Sequence, residues 1–589
     1  MNNFDPFVLP FTGGAIVLLG VLIYKYVRWL VGLSPEDKNI LRKGIFRWKF
    51  PLFIREVFME SLFHRRIWRV NPLLGYMHMS LAFGWFLLIV VGALESRFQH
   101  GFRPEPFWQA IFYKFFQRDM SGLPYAGIFN FLMDFLLLYV LSGVVLAMIK
   151  RFRSKWFGMK KATRQSIPDQ LALSSLWLIF PLRLLAESFT AGQYHNGGFL
   201  TGSLGKVFAM IMPLSNISYT SWWIYSITLG VFFVSLPFSR YMHIPTEVLL
   251  IALRKAGLRT GKDFSSFSWI EINSCPRCGI CVDRCQLAMD AGITTAPAVY
   301  LTRAIRNRKV NPDRAFNCLV CGRCTEYCPV QIDISALRIT QRRLFNNNHN
   351  LNYSYLKPYP LKTAEVAYFA GCMTHLTPAI IRSMARIFQA AGIEYSFIDE
   401  HGSICCGRPL LLSGSEDSAR ALIETNTMLI RNSGAKLLVT SCPICYKEFK
   451  EKYQLGIEVM HHSQFILDLI NKESIKLNRG SLKTVYHDPC ELGRGCDVYD
   501  PPREVLRAFT DLRITEHEGK DALCCGGSLG NIMLTVEQKD AVRTAAINML
   551  RKNDPDVVVT SCPLCKKTLS KGQAGQVRDL AEMVEEALV

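Results

Sequence analysis

Three features of the 589-residue sequence predict a multi-domain chain: an all-α five-helix transmembrane bundle, then an α-helical cysteine-run domain, then duplicated α/β cysteine-rich domains. Five apolar stretches of about 20 residues are each long enough to span a bilayer. Two runs of four closely spaced cysteines come next, and a five-cysteine pattern then occurs twice at a fixed period. The length exceeds that of one domain, and the boundaries fall at 1–262, 263–345, 346–480 and 481–589.

The apolar stretches run roughly 11–32, 74–94, 126–149, 170–190 and 219–239. The net charge of +20 is concentrated with them: residues 1–262 hold 29 Lys+Arg against 12 Asp+Glu, and the rest holds 39 against 36. Basic residues crowd the segments after spans one and three ("RKGIFRWKF", "KRFRSKWFGMKKATR"), whereas 95–124 and 191–217 carry five between them. The positive-inside rule then puts the N-terminus outside and everything after residue 240 in the cytoplasm, as in a multi-pass protein of the cytoplasmic (inner) membrane. "MNNFDPF" has neither a basic region nor a small-residue cleavage site, so the first span is expected to be retained. The basic stretches coincide with no nucleic-acid recognition motif, which argues against a nucleic-acid partner.

All 19 cysteines lie in the cytoplasmic part, and 18 fall in patterned groups. In a reducing compartment such patterns read as metal ligands rather than disulfides. "CPRCGICVDRC" sets Cys275, Cys278, Cys281 and Cys285 at C-x2-C-x2-C-x3-C, and "CLVCGRCTEYCP" repeats the spacing with Cys318, Cys321, Cys324 and Cys328. This is the bacterial two-cluster ferredoxin spacing, in which the fourth cysteine of each run ligates the other cluster. One cubane [4Fe-4S] cluster is expected on Cys275, Cys278, Cys281 and Cys328, and the other on Cys318, Cys321, Cys324 and Cys285. Zinc is the competing metal, but four-cysteine zinc sites usually carry two C-x2-C pairs rather than runs of four. In one departure from the pattern, Gln286 follows Cys285 where proline is usual.

Downstream, Cys372, Cys405, Cys406, Cys442 and Cys445 are matched by Cys490, Cys524, Cys525, Cys562 and Cys565, at offsets of 118, 119 and 120. "AEVAYFAGC" pairs with "KTVYHDPC", and "KLLVTSCPIC" with "DVVVTSCPLC". Apolar β-rich runs before the cysteines, with helical stretches between, predict α/β units carrying ligands on the loops after strands. Gly407 and Gly526–Gly527 permit tight turns beside the adjacent cysteine pairs. Five thiolates exceed the four of a cubane, so the residues imply an unusual cluster or a thiol-exchange site. The pattern, with "HDPCELGR" and "CCGGSLGN", resembles the cysteine-rich domain of the heterodisulfide reductase family, in which each complete repeat binds a non-cubane [4Fe-4S] cluster through its five cysteines. The resemblance implies two such clusters here, with the ten cysteines at the catalytic centre. Cys496 is left over and reads as a passive thiol. The polar segment "FNNNHNLNYSYLKPYP" reads as a linker. His401, His461, His462, His487 and His517 read as structural, His487 being the one to test because it precedes the Cys490 loop.

A haem in a helical bundle needs two imidazoles at one depth on different helices. His78 opens span two and His243 closes span five, both at the cytoplasmic edge. "FVSLPFSRYMHI" is similar to the last-helix motif of the nitrate reductase gamma-subunit family, a five-span cytochrome b that commonly carries two haems. That family's second pair of ligands falls here on Leu88 and Tyr225, so the resemblance implies one haem b, held by His78 and His243 with Arg240 near a propionate. His64 is a rival, but the charged, proline-containing "HRRIWRVNP" assigns it to a loop. His100 and His195 lie on the outer side, unpaired.

Asp134, Arg183 and Glu187 come out at similar depth in the outer half of the bundle. Intramembrane ionisable groups mark substrate or proton paths, and two readings stay open: a structural ion pair, or the border of a quinone site. No G-x-G-x-x-G follows a strand, so bound NAD or FAD is not expected. Single-chain fusions of these parts resemble the electron-transfer-flavoprotein:menaquinone oxidoreductases. That resemblance implies a quinone-linked oxidoreductase whose partners are the membrane quinone pool, with menaquinone as substrate, and a cytoplasmic electron-transfer flavoprotein. The alternatives are a heterodisulfide or protein-disulfide reductase drawing on quinol, and an electron-relay subunit of a larger respiratory complex.

Overall fold

The computed structural model describes residues 4–46, 50–100, 106–119, 125–159, 165–261, 263–346, 360–402, 404–527, 533–571 and 576–589. Most of the linker (347–359), the loop segments 101–105 and 120–124, the end of "CCGGSLGN" and the side chain of His100 lie outside them. The chain divides into two compact units. The first comprises Met1–Gly261, Ser265–Ile280 and Tyr327–Ile332, and the second Lys262–Phe264, Cys281–Glu326 and Asp333–Val589. The expected ferredoxin segment, 263–345, is shared between them.

In the first unit five helices are long and apolar enough to cross a membrane: Pro6–Val31, Pro72–Phe98, Ala126–Phe152, Ile167–Tyr194 and Leu214–Phe238. Their outward faces expose Ile16, Leu19, Ile23, Phe131, Phe135 and Ile224, an apolar surface of the kind a soluble monomer does not present. Span four packs on span five, span two on span three, and span one on span five. Glycines permit the last contact: a Cβ on Gly14 would stand 2.7 Å from the Gly230 Cα, and one on Gly230 2.4 Å from the Pro10 carbonyl oxygen. The core is filled by Leu88, Leu137, Val140, Ile179, Phe180, Trp222, Tyr225 and Leu229. Span four starts at a capping box between Ser166 and Asp169.

The segments 95–124 and 191–217 hold short helices, Gln109–Phe116 and Thr201–Ile211. The first is too short to span, yet it drives Phe112 and Phe115 into the core against Trp222. After span five a further helix, His243–Lys255, runs on and is tied to the cysteine segment: Arg254 donates to the Val330 carbonyl at 2.8 Å and pairs with Glu271 at 2.8 Å.

The second unit contains two sheets. Strands β1 (Val366–Phe369), β2 (Tyr395–Phe397), β3 (Leu437–Thr440) and β4 (Glu458–His461) form an all-parallel sheet in the order β2-β1-β3-β4. Strands β5 (Lys483–His487), β6 (Asp511–Arg513), β7 (Val557–Thr560) and β8 (Val577–Asp579) repeat the order as β6-β5-β7-β8. The central strands read "VAYF", "LLVT", "KTVYH" and "VVVT", the near-continuous apolar runs of parallel strands covered on both faces. The repeats exchange helices reciprocally. Helix Pro378–Ala390 packs on Leu580–Ala587, and His462–Asn471 on Asp500–Phe509. Phe388, Phe465, Val505 and Leu580 fill the shared core.

Candidate functional site

Strand ends position the repeat cysteines. Cys372 and Cys442 follow the carboxyl ends of β1 and β3, and Cys490 and Cys562 those of β5 and β7, where parallel α/β sheets place their ligands. Pro443 and Pro563 then open short helices, which carry Cys445 and Cys565 in their first turns and aim the backbone N–H groups of Ile444 and Cys445 at the Cys442 thiol. Gly407 and Gly526, at φ 88° and 83°, turn the chain sharply after each cysteine pair. Within the first repeat the thiols lie in hydrogen-bonding sequence Cys372–Cys405–Cys406–Cys445–Cys442. The second repeat has the same sequence, Cys490–Cys524–Cys525–Cys565–Cys562. Cys442 of one group and Cys562 of the other are within electrostatic reach of each other, and a pocket between the repeats is lined by Leu412 and Ile444 of one and Cys490, Cys525 and Cys565 of the other.

The second group has two further neighbours. His487, the last residue of β5, reaches the Cys525 thiol, and ligand atoms of His487, Cys525 and Cys565 lie within 4.8 Å of one another. In the first repeat the matching place is taken by Phe369: each pairs with the last threonine of its neighbouring strand, His487 with Thr560 and Phe369 with Thr440. The other neighbour is Cys321, which is within hydrogen-bonding reach of Cys524.

Cys318, Cys321, Cys324 and Cys285 are gathered in the second unit. Cys275, Cys278 and Cys328 are gathered in the first unit. The fourth cysteine of each run thus sits with the other run's group. Burial pushes the Cys285 and Cys328 thiols up to about 12, so these groups release protons when they take a metal. Cys281 falls in the second unit.

At one end of the spans, His243 Nδ1–H donates to the Arg240 carbonyl at 2.7 Å. That bond fixes the tautomer and puts the lone pair on Nε2, the atom that would bind a metal. His78 Nε2 is buried without a partner among the described residues, and so are Arg240 Nε and Nη2. Two imidazoles and an unsatisfied guanidinium fit a haem with a propionate on Arg240. His78 and His243 are within electrostatic reach of each other.

The structure adds two elements here. His64 does lie outside the spans, as expected, but its ring stands 5.4 Å from that of His78, edge to face. It holds a left-handed conformation, φ 55°, with Nδ1–H on the Glu60 carbonyl at 2.8 Å. Glu60, 3% exposed, is bonded by Arg65 and by the Arg66 backbone N–H. Asp169 is the other element. Its carboxylate accepts the Arg240 backbone N–H at 2.6 Å and pairs with Arg277 at 2.7 Å. Arg277 lies between Cys275 and Cys278, so one carboxylate links the histidine end to the cysteine loop. Lys150 is within electrostatic reach of both His78 and Cys278. Sequence carried one hint of these: the Ser166/Asp169 capping signature.

The buried charges sort into separate roles. Arg183 Nε pairs with Glu187 at 2.7 Å, and its guanidinium is hydrogen-bonded to Tyr225. Asp134 is not a third member of this pair. It accepts the backbone N–H groups of Leu200 and Thr201 at 2.7 and 3.0 Å and the Thr201 hydroxyl at 2.8 Å, anchoring the helix Thr201–Ile211. Asp134 is nevertheless within electrostatic reach of Glu187. Leu88 and Tyr225, which stand where a second haem would need histidines, are packed in the core at 0% and 2% exposure.

Of the remaining histidines, His462 faces Asp579 at 3.3 Å, His461 Nδ1 bonds the Ser463 hydroxyl at 2.8 Å, and His517 meets Asp521 at 2.6 Å. Burial pushes the Cys496 thiol up to about 12, which keeps it protonated.

Residues 366–450 and 484–570 each match the cysteine-rich domain family, and residues 271–332 match the 4Fe-4S dicluster domain family. The chain is an iron–sulfur oxidoreductase similar to the heterodisulfide reductases. The EtfAB:quinone oxidoreductase of Syntrophomonas wolfei is 22% identical over 95% of this chain and 93% of its own length. One component of the dihydromethanophenazine:CoB–CoM heterodisulfide reductase of Methanosarcina mazei is 27% identical, over 56% of this chain and 96% of that protein. The probable iron–sulfur-binding oxidoreductase FadF of Bacillus subtilis is 21% identical over 85% of this chain and 85% of its own length.

Proposed function

We propose that this chain is a membrane-bound oxidoreductase passing electrons between a cytoplasmic electron-transfer flavoprotein and the menaquinone pool. Two cubane clusters, two non-cubane clusters and one haem b serve as carriers. The observation that carries this reading is the whole-length likeness to an EtfAB:quinone oxidoreductase, in a chain that has both the apolar spans and the cysteine repeats. A bound haem would accept and release one electron at a time. The residues would do the rest. His78 and His243 would hold the haem through ring nitrogens, Arg240 would neutralise a propionate, and Asp169 would hold the Arg277 loop against the histidine end. Cys275, Cys278, Cys281 and Cys328 would take one cubane, and Cys318, Cys321, Cys324 and Cys285 the other. The five cysteines of each repeat would take a non-cubane cluster. Asp134 and the ion pair of Arg183 and Glu187 would border the quinone site.

A second reading, reduction of a disulfide at the repeats, is favoured by the pocket lined by Cys490, Cys525 and Cys565. One experiment separates the two. Purified protein is mixed anaerobically with reduced electron-transfer flavoprotein, or is reduced and mixed with a small disulfide, while the haem spectrum is followed. Haem reduction by flavoprotein with no response to disulfide is expected. Reoxidation by the disulfide with no flavoprotein response would replace the first reading with the second.

A further inference from the structure

Gln286 occupies the position where two-cluster ferredoxins usually carry proline, and its side chain is committed to a single target. The Cys524 backbone N–H donates to Gln286 Oε1 at 2.6 Å, and Gln286 Nε2 donates to the Cys524 carbonyl at 3.3 Å. One amide thus reads both backbone groups of one residue, although 238 positions separate the two in sequence. Gln286 is 5% exposed and Cys524 2%, so each bond lies where an unmade partner would be costly.

The clamp has a consequence for the thiols beside it. Cys285, the immediate neighbour of Gln286, belongs with Cys318, Cys321 and Cys324, and Cys321 is within hydrogen-bonding reach of Cys524. Arg494 closes the same junction, donating from Nε to the Cys321 carbonyl at 2.8 Å and from Nη1 to the Ala522 carbonyl at 2.9 Å. The first repeat meets the ferredoxin segment differently. There Arg342 donates to the Leu412 and Cys318 carbonyls, each at 2.9 Å, and Arg343 pairs with Glu416, so the repeat is held six and ten residues beyond Cys406 rather than at a cysteine backbone.

We propose that Gln286 is a positioning residue that holds Cys321 against Cys524, and that this contact is where electrons cross between the ferredoxin segment and the repeats. The second repeat is then the relay, and the first is reached through it by way of Cys562 and Cys442. At each crossing the group on Cys285, Cys318, Cys321 and Cys324 loses one electron and the group of the second repeat gains one, or the reverse. No bond forms or breaks, and no proton moves. The inference rests on both groups being iron–sulfur sites, which iron analysis and EPR of the unaltered protein test by themselves.

The test is Gln286→Pro. Gln286 begins the short helix Gln286–Met289, and Cys285 before it is extended at φ −95°, ψ 108°, a conformation that accepts a following proline. The variant restores the usual ferredoxin residue while deleting both clamp bonds. Gln286→Leu, which deletes the bonds but keeps the bulk, is the second variant. In full-length protein we expect unchanged cubane EPR signals and loss of magnetic coupling between the cubane and the second-repeat cluster. Electron passage between them, followed by rapid freezing, should slow roughly tenfold or more. Loss of the second-repeat cluster alone, with the cubane retained, also supports the clamp. Unchanged coupling and rate in either fully loaded variant would overturn it. So would loss of the cubane in both variants, because Gln286 would then be supporting only its own loop.

Discussion

Replacing His78 or His243 with alanine is expected to abolish the Soret band while leaving the iron–sulfur signals in place, because each imidazole stands ready to ligate a metal beside Arg240. His64→Ala is expected to keep the haem and shift its spectrum and potential. Complete loss of haem in that variant would transfer an axial role to His64. A second residue-scale expectation concerns Glu247, whose carboxyl is pushed up to about 8, chiefly by burial and further by Glu60, against the pull of Arg66 and Arg254. A carboxyl raised above its unfolded value of 4.5 gives stability that is complete below that pH and declines as pH rises, until it is gone above about 8. Glu247→Gln should therefore flatten the fall in thermal midpoint between those pH values, as measured by unfolding in detergent. At this scale the cysteines were legible because ligation imposes fixed short spacings. His64 stood out only as a rival ligand and Gln286 only as a departure from the ferredoxin pattern, and the place of Asp169 did not show at all, since each acquires its meaning from a partner distant in sequence or from a backbone conformation that residue type does not announce.

Among the elements, the contact between spans one and five leaves little room for a side chain. Gly230→Leu places a side chain against the Pro10 backbone, which cannot move aside as a flexible side-chain end could. A loss of about 1–3 kcal/mol is expected, seen as a lower thermal midpoint in detergent, whereas Gly13→Leu, which meets nothing within 4 Å, should be close to neutral. The spans could be read directly, since hydropathy and length define them. So could the strands before each cysteine, because parallel strands buried on both faces must be apolar throughout. The short helices Gln109–Phe116 and Thr201–Ile211 escaped notice. Helices of 8 and 11 residues have too few turns for periodicity to stand out, and tertiary packing rather than propensity holds them.

For the whole molecule, cysteine variants should separate the cluster sites. Cys406→Ser is expected to remove the EPR signature of the first repeat only. Cys565→Ser should remove that of the second and also slow electron arrival at the first. The two sheets share strand order, parallel sense and the sequence of thiol neighbours, yet one terminal position differs, with Phe369 in the first and His487 in the second. Phe369 packs edge to face against Phe449, whereas His487 offers a hydrogen bond to a cysteine of its group. Hydrogen bonds to ligating sulfur raise a cluster's potential. With a cluster in each, as proposed, the duplicated units would be two electrodes of one design biased against each other by a single side chain, and exchanging Phe369 and His487 should reverse the polarity of the pair.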